Sequence, residues 1–285
     1  MKIVTAVVNN PDFIEIQYHT LKKYVKGDYE FIVFNDAKTF HDSTNYGDLT
    51  IKSQIENMCD KLQIKCIAIP NDHHKHEVDP SVRCADSMNF ILQYQKANPD
   101  RYLILDSDMF LIDELDINTY ANHDVGIVLQ LKNDKVYFWH GVCYLDFTKL
   151  KNSELLNWNC APGCDTGGML HNWLTSQCSI DDVRNNAHSD FYYIHHLASC
   201  AWDSSWIPEN IKHNTNLITF LYSDLRNTNG KFFCELYDNR FLHYRAGCNW
   251  RGEGLELHRK LTTMLKEALL ARSEEHTSEL QSRQY

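Results

Sequence analysis

The chain has 285 residues, enough for one large domain or two small ones, and its 43% hydrophobic content is ordinary for a globular protein. A net charge of −10 argues against broad binding to a phosphate backbone, which needs a basic footprint, but leaves open a small anionic ligand held by one local cation. No apolar run reaches the roughly eighteen residues of a membrane span. The start, MKIVTAVVNNPDF, shows strand-like alternation without an export cleavage site. Ten cysteines with no export signal read as reduced thiols, so a cytoplasmic location is expected. The closest pair, Cys160 and Cys164, lacks the second pair or the histidines of a zinc finger.

The first half of the chain alternates strand and helix patterns. KIVTAVV (2–8) predicts a strand, and Pro11-Asp12 opens a helix to about Val25. YEFIVF (29–34) is a second strand, a helix near 50–62 follows, and IKCIAI (64–69) is a third strand. Asp79-Pro80 pairs an N-cap with a first-turn proline, and Ala85, Met88 and Leu92 then share one helical face as far as Asn98-Pro99. YLIL (102–105) is the fourth strand. Strands separated by helices imply right-handed crossovers, hence an α/β fold with a mostly parallel central sheet and helices on both faces. After 120, VGIVLQL and KVYFWHGVCYLDF read as longer strands of a small antiparallel extension. From 148 the chain reads as helical and aromatic-rich, then come KFFCELY and RFLHY as short strands. Leu257, Leu261, Met264 and Ala268 mark a closing amphipathic helix. Residues 1–271 are expected to form one domain. The segment RSEEHTSELQS (272–282) resembles the in-frame translation of a sequencing adapter, so 272–285 is read as a disordered tail on a gene assembled from bulk environmental DNA.

The chemistry centres on Asp106-Ser107-Asp108, where the fourth strand ends. In extended backbone, residues i and i+2 point the same way, so both carboxylates reach one point at the carboxyl edge of the sheet, where open α/β sheets bind ligands. Two such carboxylates repel unless a divalent cation lies between them, and oxygen ligands favour Mg²⁺ or Mn²⁺. At such an edge Asp108 is expected to face solvent. The competing reading is that Asp-Ser-Asp is turn chemistry. A haloacid-dehalogenase-like phosphatase also ends a strand in Asp-x-Asp, but near its N-terminus and with Thr or Val where this chain has Phe110; Asp181-Asp182, which could imitate its later acidic motif, follow no apolar strand.

YLILDSDMFLIDELD (102–116) resembles the DxD segment of GT-A glycosyltransferases, which use nucleotide sugars, and the resemblance continues in order over roughly residues 1–270. TAVVNN (5–10) is similar to the first-strand motif that cups the nucleotide base, and IVFNDA (32–37) to the second-strand end. YFWHGVCYLDFTKL (137–150) resembles the strand after the DxD, with Trp139-His140 where an Asn is usual. DTGGML (165–170) lies where the family keeps an acidic residue, and FLHYRAGCNWRG (241–252) resembles its C-terminal His-x-x-Gly element, without the Lys-Pro-Trp of some retaining members. More loosely, the chain resembles short GT-A proteins of large DNA viruses, which would place it in a host cytoplasm.

The resemblance implies a metal-dependent, hexosyl-type transferase moving sugar from a nucleotide-diphosphate donor to a hydroxyl, with retaining chemistry preferred. A UDP-sugar is favoured as donor over a GDP-sugar. The acceptor is a glycan, a protein or a small molecule, and a modified nucleic-acid base stays open although acidity disfavours nucleic acid. Asp106, Asp108 and His243 would hold Mn²⁺ (or Mg²⁺), one nitrogen ligand tilting the choice to Mn²⁺, and Asp108 with Asp165 would be the catalytic acids. Thr5, Ala6, Val7, Asn9, Asn35, Asp36, Arg83, Asp86, Asp106 and Ser107 would bind the donor. So would Arg245, Gly247, Trp250 and Arg251 around the diphosphate. Each has a plainer reading: His243 a buried histidine, Arg245 and Arg251 surface charge, Arg83 and Asp86 a helix-surface ion pair, Asp165 a helix cap. NDHHKHE (71–77), with His73 to His76, reads as a polar loop rather than a metal site. Trp158, Tyr192, Tyr193, Trp202 and Trp206 read mostly as core, with an acceptor platform as the alternative. A non-enzymatic relative that binds nucleotide or glycan is the contrasting reading.

Overall fold

The computed structural model describes residues 1–132, 134–197, 202–250 and 254–271. Arg251 and the tail expected at 272–285 lie outside the described residues. In chain order the N-terminal half is β1 (Lys2–Val7), α1 (Pro11–Tyr24), β2 (Val25–Lys26), β3 (Glu30–Asn35), α2 (Ile51–Leu62), β4 (Lys65–Ala68), α3 (Pro80–Ala97) and β5 (Arg101–Asp106). Then follow β6 (Met109–Leu111), β7 (Leu115–Asp116), β8 (Val125–Ile127), β9 (Leu129–Lys132), β10 (Lys135–Phe138) and β11 (Val142–Asp146). The remainder is α4 (Leu170–Gln177), α5 (Ile180–Arg184), β12 (Phe191–Tyr193), β13 (His196–Leu197), α6 (Glu209–Lys212), α7 (Thr215–Ser223), β14 (Glu235–Tyr237), β15 (Phe241–His243) and α8 (Leu255–Leu270).

The N-terminal caps act as their residues dictate. Asn10 accepts the Asp12 N–H at 3.2 Å ahead of Pro11, and Asp79 accepts the Ser81 N–H at 2.8 Å ahead of Pro80. The central sheet runs β12-β8-β11-β5-β1-β3-β4. Its β5-β1-β3-β4 half is parallel, and β11 runs antiparallel to both neighbours. Alternation along the strands sorts their side chains into two cores. Ile3, Val7, Val33, Leu103 and Leu105 bury with Ile14 and Leu21 of α1 and Ile55 and Cys59 of α2. Val4, Ile32, Phe34, Tyr102 and Ile104 bury with Met88, Ile91 and Leu92 of α3 and Trp173 of α4. Helices therefore cover both faces, as the continuous apolar runs imply. Among the described residues, no helix is long and apolar enough to cross a membrane.

Two expectations are corrected. The runs at 125–131 and 135–147 are not single strands: each breaks, giving β8 and β11 to the main sheet and β9 and β10 to a separate antiparallel ribbon. The break falls at Trp139 to Gly141, where the Trp139 ring lies against Gly141 so closely that a Cβ there would be 2.0 Å from it. From 148 to 169 the chain is not helical beyond a short 3₁₀ turn at Ser153–Leu155, and α4 begins only at Leu170. Pro162 and the left-handed Gly163 and Gly167 (φ 75° and 90°) interrupt that stretch.

A third core joins the other face of α1 to the C-terminal region: Phe13 and Ile16 bury with Phe110, Leu242, Tyr244, Leu261 and Leu265. Here β6 leaves the central sheet and pairs with β15 in a second, antiparallel sheet ordered β13-β14-β15-β6. Lys266 of α8 binds Asp12 and Glu15 of α1 at 3.1 and 2.5 Å, closing the helix pair.

Behind β3 lies a buried polar knot. Asp36 accepts from Lys38 Nζ at 2.8 Å, Asn71 Nδ2 at 2.7 Å and Ser87 Oγ at 2.8 Å, and Lys38 is only 2% exposed. Asp36→Ala would strand a buried ammonium, so it is expected to cost about 3–5 kcal/mol. Urea unfolding should show this as a lower midpoint at unchanged slope.

Candidate metal centre

The site follows from the way β5 ends. Its last residue, Asp106, donates its N–H to the Gly141 carbonyl at 2.7 Å, and the chain then turns through Ser107 and Asp108 into β6. Gln17 of α1, fully buried, fixes that turn by donating to the carbonyls of Asp106 and Met109 at 2.8 and 3.0 Å. The antiparallel pairing of β6 with β15 sets Met109 opposite His243, and the Tyr244 N–H donates to the Asp108 carbonyl at 2.8 Å. Asp106, Asp108 and His243 thereby bring three ligand atoms within 4.8 Å of one another.

Asp108 and His243 are buried, Asp106 is half-buried, and the cluster is charged. His243 Nε2 lies 3.3 Å from Asp108 Oδ1, while Asp108 Oδ2 accepts the Gly247 N–H at 2.7 Å. Burial alone would raise the Asp108 carboxyl, but His243 and the backbone N–H groups hold it below the usual range. Burial opposes charge on His243, yet Asp108 and Glu235 lift its pKa to about 10. Asp106 shifts the other way: burial, then the Asp108 charge, pushes its carboxyl up. A divalent cation answers that conflict. Two carboxylates and an imidazole make a donor set suited to Mn²⁺ or Mg²⁺, and the site fits such an ion. Asp108 does not face solvent as expected; it is 5% exposed, because β15 and the turn after it cover the strand end.

The turn that covers Asp108 is built tightly. Arg245 and Ala246 both adopt left-handed backbone (φ 56° and 57°). Buried Arg226 holds the carbonyls of Tyr244 and Arg245 at 2.9 and 2.8 Å, while Asp224 grips its guanidinium at 2.9 and 2.7 Å. Gly247 then packs so close that a Cβ would lie 2.6 Å from the Phe13 ring and 2.8 Å from the Asp108 Cβ. Two more tethers hold the turn: Asn9 Nδ2 donates to the Cys248 carbonyl at 3.0 Å, and Ser107 Oγ lies 3.3 Å from Cys248 Sγ.

The other expected residues fall into distinct groups. Ala6 pairs in register with Asp106 and is partly exposed, next to the cluster. Thr5, Val7 and Asn35 are 0% exposed beneath it, and Asp36 belongs to the knot behind β3. Asn9 and Trp250 line a cavity of about 450 Å³ together with Asn10, Tyr46, Gln54 and Arg259. The Asn9 Oδ1 and Trp250 Nε1 atoms are themselves buried without a hydrogen-bond partner. Arg83 and Asp86 are not paired with each other. Arg83 binds Asp42 at 2.6 Å and the carbonyls of His74 and Glu77, clamping two loops against α3. Asp165 caps no helix; it accepts the Tyr137 hydroxyl at 2.6 Å, and its charge reaches His140.

His140 stands where the resembled family has Asn. Its Nε2 is 3.3 Å from Cys84 Sγ and 3.9 Å from Asp106 Oδ2. Burial opposes its charge, but Cys84 and Asp106 raise its pKa to about 9. Gln17, Arg226 and Glu235 were not legible as site residues. Gln17 and Glu235 are polar residues within apolar runs, which was the available signal, whereas Arg226, in the polar stretch SDLRNTNG, gives none. Of the aromatics, Trp158 and Trp202 are core at 0% exposure, while Trp206 is 49% exposed.

His73, His74 and Asp86 also gather within ligand distance, both Nε2 atoms lying 2.8 Å from Asp86 Oδ2. Lys38 Nζ donates to His74 Nδ1 at 3.0 Å, so a neutral His74 carries its hydrogen on Nε2, toward Asp86. That tautomer has no lone pair for a metal. The segment, a 3₁₀ turn at Asp72–Lys75, is clipped to α3 by these hydrogen bonds.

No family model matches the chain, and no curated protein matches it. Among solved structures it is similar to GT-A glycosyltransferases. The galactosyltransferase LgtC, in complex with donor and acceptor sugar analogues, is 13% identical over 68% of this chain and 73% of that one, with a TM-score of 0.35. Mouse xyloside xylosyltransferase 1, in its apo form, is 11% identical over 75% and 90%, with a TM-score of 0.38. The PaToxG glycosyltransferase is 12% identical over 65% and 72%, with a TM-score of 0.37.

Gly247→Ala is expected to push the turn off Asp108, at a cost of about 1–3 kcal/mol. Thermal unfolding should show the loss of stability, and Mn²⁺ calorimetry a weaker site. Unchanged values in both would mean the turn has room that the close contacts deny.

Proposed function

We propose that residues 1–271 act as a metal-dependent glycosyltransferase that moves a sugar, of hexosyl type, from a nucleotide-diphosphate donor to a hydroxyl. The observation that carries this reading is the convergence of Asp106, Asp108 and His243 at the carboxyl end of β5, with the Gly247 N–H on Asp108. These are the positions at which the sequence resembles the DxD and His-x-x-Gly elements of GT-A enzymes. Two oxygens and one nitrogen favour Mn²⁺ as the resident ion. When bound, it would stabilise negative charge on the departing diphosphate.

The chain's own groups divide the remaining work. Asp106, Asp108 and His243 hold the ion. Ala6, beside Asp106, and Ser107 meet the ribose side of the donor, and Arg245 pairs with phosphate. The cavity bounded by Asn9 and Trp250 takes the nucleoside. A UDP-sugar is the favoured donor. Asp165, presented by Tyr137 on the His140 side of the cluster, stands by the transferred sugar or its acceptor. The free thiols among the described residues suit a reducing compartment such as the cytoplasm.

A thermal-shift cycle with UDP, Mn²⁺ and both tests the reading. If diphosphate and ion complete one site, their joint stabilisation exceeds the sum of the separate ones. His243→Ala should remove most of that excess, and Asp108→Asn should abolish donor turnover in a nucleotide-sugar screen. Equal synergy in wild type and His243→Ala, or turnover that survives a chelator, would overturn the metal-dependent mechanism.

A further inference from the structure

We propose that Glu235 is the positioning residue that aims His243 at the metal; the proposal rests on the metal-centre reading above. Glu235 and His243 lie directly opposite each other in the β14–β15 ladder. On that shared face, Glu235 Oε2 is 3.1 Å from His243 Nδ1, while Nε2 on the far side of the ring faces Asp108 at 3.3 Å. A carboxylate can only accept. Nδ1 therefore donates to Glu235, and the opposite nitrogen, Nε2, whose hydrogen meets Asp108 when no ion is bound, is the one left to a cation between Asp106 and Asp108. Without Glu235 either tautomer would be free to form, and the one with hydrogen on Nε2 cannot ligate.

Glu235 is itself fixed. The Tyr237 hydroxyl donates to its Oε2 at 3.0 Å, and Arg245 Nη1 and His196 Nε2 stand 3.6 and 3.8 Å from Oε1. Its side chain is 13% exposed. Tyr237, two residues along the same strand face, stacks on Trp139 at 5.1 Å, and Trp139 also lies 5.1 Å from the His243 ring. The imidazole is thus held at one edge by a carboxylate and packed against an indole, an arrangement that fixes both tautomer and tilt. If Glu235 served only to neutralise Arg245 and His196, its charge would matter and its hydrogen bond to Nδ1 would not.

Mn²⁺ titrated calorimetrically, alone and with UDP present, separates these roles in wild type, Asp108→Ala, Glu235→Ala and Glu235→Gln. Wild type should bind one ion and Asp108→Ala none. Glu235→Ala should weaken binding by about 10–100-fold, the usual effect of losing such a partner. Glu235→Gln, whose side-chain carbonyl still accepts from Nδ1, should recover most of that loss. Proton-detected nitrogen-15 NMR of the histidines should show a slowly exchanging His243 Nδ1–H in wild type and Glu235→Gln, with and without Mg²⁺, and a rapidly exchanging one in Glu235→Ala. Wild-type affinity in Glu235→Ala, or equal weakness in the Gln and Ala variants, overturns the positioning role while the metal centre stands. No Mn²⁺ binding by wild type overturns the metal centre, and the proposal with it.

Discussion

Asp108 takes the Gly247 N–H on one carboxylate oxygen and faces His243 with the other, joining groups 139 positions apart at a buried charge. A buried carboxylate is tolerated only when its oxygens are matched, and here a peptide N–H and an imidazole match them. The match depends on β6, which leaves the central sheet within a few residues of Asp106 and pairs with β15 instead. One carboxylate thus ties the parallel-sheet half of the molecule to its C-terminal segment. The surrounding polar groups serve that junction. Gln17 fixes the strand end from α1, and Arg226 with Asp224 fixes the returning turn.

Much of the frame was legible because it depends on local rules. Apolar runs of four to seven residues, separated by helical stretches, imply a parallel sheet, and α1 and α3 begin where Pro11 and Asp79-Pro80 announce them. The acidic pair was legible for a similar reason, since Asp-Ser-Asp interrupts an apolar run at a strand end. Its partner His243 was reached through resemblance, and the register between β6 and β15 was not predictable from either strand alone.

What escaped was set by distant packing. KVYFWHGVCYLDF has the composition of a single strand, yet the Trp139 ring folds onto Gly141 and divides it between two sheets. Glu235 looks like an ordinary polar position within KFFCELY, and its meaning appears only when β15 sets His243 across from it. Arg83 and Asp86 sit at i and i+3 on α3, a spacing that invites an ion pair, but each is drawn instead to a loop that the helix could not foretell. Asp108 was expected at an open edge because a strand end gives no hint of the turn that later closes over it.

Gly247 links these observations to how such a chain can change over generations. It is walled on one side by Phe13 of the first helix and on the other by the acid that its own N–H satisfies. A larger residue there is admissible only after both walls have moved, and shortening Asp108 to make room removes the acceptor that the turn needs. The three positions therefore cannot drift one at a time. In a lineage that kept the site they would stay frozen together, and in one that had abandoned the chemistry their joint release would be among the first marks left in the sequence.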